Sequence, residues 1–134
     1  MNKLSKLLID FYKSKNIELF ELINNDNTSE IFGAILQITN WLDLEYKRSQ
    51  WIKQGKTVKH RPLELPLDLN IDWVKTLIKL LYENELMNQY FEINGNLFNF
   101  KTNISEEEKD IIRKDIFDNI KVEPHYYRRF DNVN

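Results

Sequence analysis

The 134 residues suit one domain, and 42% hydrophobic against 30% charged excludes a disordered chain. With 3 Gly and 3 Pro the composition favours long regular elements over a loop-rich sandwich, and with no cysteine it excludes disulfides, thiolate catalysis and Cys-ligated zinc. The net charge is -2, but Tyr46 to Leu63 holds no acid while Lys47, Arg48, Lys53, Lys56, Lys59 and Arg61 contribute +6, so the remaining residues carry -8.

Along the chain, Leu4, Leu7, Leu8 and Phe11 recur at helical spacing with Lys3, Lys6 and Lys13 opposite, which predicts an amphipathic first helix. The apolar set Ile17, Leu19, Phe20, Leu22 and Ile23 either continues it or restarts after Ser14-Lys15-Asn16. Lys6 and Asp10 interrupt the first apolar stretch, and no run is long enough for a membrane span, so the expectation is a soluble, cytoplasmic chain without a signal peptide. Asn24 to Asn27 reads as a loop.

Thr28 or Ser29 can cap a second helix whose inward stripe is Ile31, Ile35, Ile38 and Leu42, broadened by Phe32 and Leu36. Its pattern runs through Tyr46 to Trp51 and Ile52, with Gly55 as the stop, which predicts a helix of about 25 residues. Beyond it, Leu63, Leu65, Leu67 and Leu69 alternate with polar residues, and Pro62 and Pro66 forbid a helix. The expectation is an extended connector laying its leucines on the core.

Asp68 or Asn70 caps a third helix with Val74, Leu77, Ile78 and Leu81 inward, flanked by Trp73 and Leu80 and persisting to Met87 or Tyr90. Asn94-Gly95 between alternating apolar residues then predicts a hairpin. Pairing Ile93 with Asn96 sets Phe91 opposite Phe98, with Phe100 on the same face, and this aromatic face should dock on the helices. Ser105-Glu106-Glu107-Glu108 forms a capping box for a last helix carrying Ile112, Ile116, Phe117 and Ile120 inward. Pro124 ends it. The tail over 121–134, with His125, Tyr126, Tyr127, Arg128, Arg129 and Phe130, is aromatic enough to pack on the body of a single domain spanning 1–134. The fold class is therefore mainly α, about four or five helices with one small hairpin over 91–100, becoming α+β if residues 63–69 or the tail add a strand.

The chemistry-bearing residues are few. His60 and His125 could serve as general acid and base of a small metal-independent ribonuclease if their loops meet, although both also read as exposed loop histidines. No metal-ligand spacing, phosphate-binding glycine loop or nucleophile elbow occurs, so no metal and no cofactor are expected. Consecutive acids at Glu106, Glu107 and Glu108 point around a helix and are explained by the cap.

The basic segment interleaves Lys47, Arg48, Lys53, Lys56, Lys59 and Arg61 with Tyr46 and Trp51, as a nucleic-acid-binding regulator would need. On a helix, Trp41, Leu44, Arg48 and Trp51 share an edge distinct from the inward stripe, and exposed tryptophan beside arginine is favoured at protein interfaces. The expected partner-binding residues are Trp41, Arg48, Trp51, Lys53, Tyr126, Tyr127 and Arg128. The expected function is a non-enzymatic, protein-binding inhibitor of the immunity-protein or antitoxin type found in bacteria and phages, neutralising a toxin enzyme such as a nuclease. The acidic remainder would favour fast association with a basic partner.

Overall fold

The computed structural model describes residues 1–20, 28–57 and 64–120. The Asn24–Asn27 loop, Leu63, His60 and the tail with His125 fall outside the described residues, as do Lys59, Arg61, Tyr126, Tyr127 and Arg128. Among the described residues the order is α1 (Lys3–Ser14), a 3-10 turn (Ile17–Phe20), α2 (Thr28–Lys53), β1 (Leu65–Pro66), α3 (Asp72–Glu83), α4 (Glu85–Tyr90), β2 (Phe91–Asn94), β3 (Leu97–Phe100) and α5 (Glu106–Asn119). The fold is mainly α, and a small antiparallel sheet ordered β1-β3-β2 adds the β part.

Helix α1 starts where Asn2 accepts from the backbone N–H groups of Leu4 and Ser5, and stops where Lys15 takes the left-handed conformation (φ 56°) and donates its N–H to Phe11 O at 2.7 Å. The apolar set that follows restarts as the 3-10 turn, whose Phe20 meets Phe11 edge-on at 5.0 Å.

Helix α2 is the axis of the molecule. Its 26 residues span about 39 Å at 1.5 Å per residue, and it packs against α1, α3 and α5. From Ala34 to Glu45 every residue is buried. That burial corrects the expectation of a separate exposed edge, because Trp41, Leu44 and Arg48 are all interior. The sheet covers that side: Trp41 sits within 5.6–6.3 Å of the rings of Phe91, Phe98 and Phe100. The docking face expected of the hairpin and the edge expected to stay free are one cluster.

Within the stretch expected to be extended, Leu65–Pro66 does add a strand. Leu65 pairs with Phe98 and Pro66 with Leu97, on the sheet edge where a proline is tolerated. Leu65 and Leu67 lie on the core, but Leu69 is exposed in the turn that follows. Asp68 spends its carboxylate on that turn, accepting from Asn70 N at 3.0 Å, so the residue before α3, Ile71, supplies no side-chain cap.

The third helix is also divided. Asn84 leaves the helical region (φ -95°, ψ 122°), and its side chain accepts from Met87 N at 3.0 Å to start α4. Periodicity is blind to this break, since the apolar spacing continues across it. In the hairpin the turn sits one residue later than expected, with Asn94 opposite Leu97, Ile93 opposite Phe98 and Phe91 opposite Phe100. Ile93 then faces a phenylalanine instead of an asparagine. Gly95 has φ 64°, and Asn96 does not have positive φ, as a glycine-first two-residue turn requires. The expected cap of α5 forms, with Ser105 accepting from Glu108 N at 3.1 Å.

Candidate functional site: an aromatic groove between α2 and α5

Beyond Glu45 the residues of α2 other than Arg48 are part-buried or exposed, and Tyr46 meets Phe117 of α5. Tyr46 lies beside Phe117, while Lys53 lies near Asp110 and Ile111, so the two helices run antiparallel. The Tyr46 and Phe117 rings stand 4.8 Å apart at 35°, and the Lys47 ammonium lies 5.8 Å from the Phe117 centroid. Phe117 was expected inside, but it is 40% exposed. The stripe that faces the core is Ile112, Ile116 and Ile120, and position 117 falls one residue off that four-residue repeat.

A depression of about 490 Å³ opens here, lined by Tyr46, Lys47, Gln50, Trp51, Gln54 and Phe117. A second, of about 310 Å³, is lined by Tyr46, Gln50, Lys53, Asp110, Ile111 and Lys114. Tyr46 and Gln50 line both, so the two depressions adjoin along one groove. Trp51 is 37% exposed and Ile111 52% exposed, and Ile52 is exposed beside them. Large apolar side chains gathered around a concavity differ from apolar residues scattered singly on a surface.

Several charges at the rim are already compensated. Lys47 pairs with the buried carboxylate of Asp43 at 3.2 Å, Lys114 with Asp118 at 2.6 Å, and Asp110 with Arg113 at 3.0 Å. The Asp118 hydrogen bond and its charge hold the Lys114 ammonium above its ordinary pKa. Lys53 and Lys56 are exposed, and Lys56 N donates to Trp51 O at 2.9 Å just beyond the end of α2.

Of the residues expected to bind a partner, the structure brings Trp51 and Lys53 to the groove and removes Trp41 and Arg48 from it. Trp41 has no exposed surface and Arg48 has 2%. Burying a guanidinium is costly unless its hydrogen bonds are met inside, so Arg48 serves the interior, where Asp43 and Glu45 are also buried. The sequence reading missed Phe117, Ile111, Gln50 and Gln54. For Phe117 a signal existed, namely its offset from the isoleucine repeat.

Elsewhere, a polar depression of about 330 Å³ between the N-terminal turns of α2 and α3 is lined by Glu30, Asp72, Lys75, Thr76 and Lys79, with Thr76 Oγ1 donating to Glu30 Oε2 at 3.2 Å. Two carboxylates and two ammoniums there balance in charge. Among the described residues no group of three or more His, Asp or Glu side chains could hold a metal ion, and no helix is long and apolar enough to cross a membrane. No family model, curated protein or solved structure matches the chain.

Proposed function

We propose that this protein acts by holding another protein, and that Trp51 and Phe117 anchor the partner in the groove between α2 and α5. The observation that carries the reading is the pairing of two part-exposed aromatic side chains across one concavity, where a lysine-bearing rim surrounds an apolar centre. Interfaces draw most of their energy from such central aromatic anchors, with the polar rim excluding water. The specific role we propose is neutralisation of a toxin enzyme, such as a nuclease, by direct binding in the cytoplasm. The absence of a recognisable catalytic motif in the sequence and its sorted charge support that role.

The nucleic-acid alternative is less well supported by this face. Arg48 is buried, and Lys47 and Lys114 are paired with carboxylates, which leaves few cations on this face among the described residues for a phosphate backbone.

The test is affinity capture from the native host with the full chain and with its Trp51→Ala variant in parallel. A protein retained at moderate salt by the first and lost by the second, whose enzymatic activity falls as the chain is titrated to equimolar amounts, is the expected result. Retention of the same proteins by both chains would remove the groove from the interaction.

A further inference from the structure

The groove carries a sign of charge that narrows what can sit in it. Its lining holds Lys47, Lys53 and Lys114 against Asp110 alone, on a molecule whose formal net charge is -2. The ion pairs with Asp43 and Asp118 consume part of this excess. The local imbalance therefore rests mainly on Lys53, with the exposed Lys56 just beyond the helix, where its N–H bonds the Trp51 carbonyl. Trp51 and Lys53 lie in the last turn of α2, and Lys56 follows three residues past its end.

We infer that the groove takes an acidic segment of the partner, which seats one apolar side chain between Trp51 and Phe117 and sets carboxylates against Lys53 and Lys56. This inference rests on the docking reading above and adds the chemistry of the contact. It also reverses the sign expected from the acidic remainder of the chain, because Trp51 lies on the basic region. An acidic protein segment fits better than a nucleic acid. The site offers a recess for one bulky side chain and two exposed lysines near the end of α2, whereas a phosphate backbone is gripped by a longer track of cations. Carboxylates near the rim would speed encounter and fix orientation, and the buried anchor would set the lifetime of the complex.

The experiment is a selection of random short peptides on the immobilised full chain, followed by affinity measurement against the wild type, Trp51→Ala and the double variant Lys53→Glu with Lys56→Glu. Circular dichroism and melting of each variant check that the fold is retained. The expected ligands combine Asp or Glu with one aromatic or leucine side chain. Their affinity falls about tenfold or more in each variant, the scale of one interface anchor. Replacing a ligand's acids by lysine should restore binding to the charge-reversed variant.

Ligands that depend on Trp51 but are neutral or basic would overturn the inference and leave the docking reading standing. Selection of no Trp51-dependent ligand would remove both. A labelled single-stranded oligonucleotide that binds the wild type, competes with the peptides and is lost in the double variant would reassign the face to nucleic acid. Self-association abolished by Trp51→Ala would reassign it to a second copy of the chain.

Discussion

The Tyr90 hydroxyl donates a hydrogen bond of 2.7 Å to Glu108 Oε1, and so ties the end of α4 to the first turn of α5. The same hydroxyl accepts from Asn2 Nδ2 at 3.3 Å, and Asn2 N donates to Asp115 Oδ2 at 3.3 Å. Three segments distant in sequence meet at this one network. Glu108 was expected to complete the capping box, yet its side chain spends its hydrogen bond on Tyr90 instead.

The bond with Glu108, aided by burial, raises the Tyr90 pKa above the ordinary 10.0. A raised folded-state value means the contribution is fully present below the unfolded pKa and is lost as pH rises through the folded one. Tyr90→Phe should therefore cost about 1 kcal/mol at neutral pH. That deficit relative to wild type should shrink only above about pH 10. Urea melts of both chains at neutral and alkaline pH measure it, and a constant deficit through the alkaline range would contradict the assignment.

Trp41→Ala should cost about 3–5 kcal/mol, because it empties the centre of a cluster shared with Phe91, Phe98 and Phe100. Trp51→Ala should cost about 1 kcal/mol, since its ring is already part-exposed. Chemical denaturation of the two variants separates the structural tryptophan from the surface one. Equal losses would contradict the burial difference.

Two glycine substitutions should have opposite signs. Gly33→Ala lies inside α2, and its new Cβ would meet Trp73 Cβ at an ordinary 3.5 Å, so helix propensity should stabilise the protein by about 0.5–1 kcal/mol. Gly95→Ala has open space around it but a φ of +64°, so it should destabilise by about 1 kcal/mol through backbone strain alone. Thermal melting of the pair reads both, and a gain at position 95 would refute the turn geometry.

Asn84→Ala should cost about 1 kcal/mol by removing the cap of α4. Asn84→Asp should retain most of the stability, because its carboxylate can accept from Met87 N. Equilibrium unfolding distinguishes them, and identical losses would show that the cap contributes nothing.

Much of the architecture was legible from periodicity and punctuation. The span of α2 with its stop at Gly55, the hairpin at Gly95 and the Ser105 cap each follow from a local rule acting on neighbouring residues. The candidate site was legible only in part. Trp51 and Lys53 were singled out and lie at the groove, while Trp41 and Arg48 were singled out and lie inside. Phe117 was placed inside and lines the groove.

By itself the sequence determined which segments coil, where α2 stops, and that one basic stretch lies on an otherwise acidic chain, because those properties depend on residues within a few turns of each other. Tertiary structure alone decided which tryptophan meets solvent and that residues 65 and 66 become a strand. The helical repeat reports one buried face. Helix α2 is buried all round from Ala34 to Glu45 because α1, α3, α5 and the aromatic rings of the sheet, all distant in sequence, pack on it.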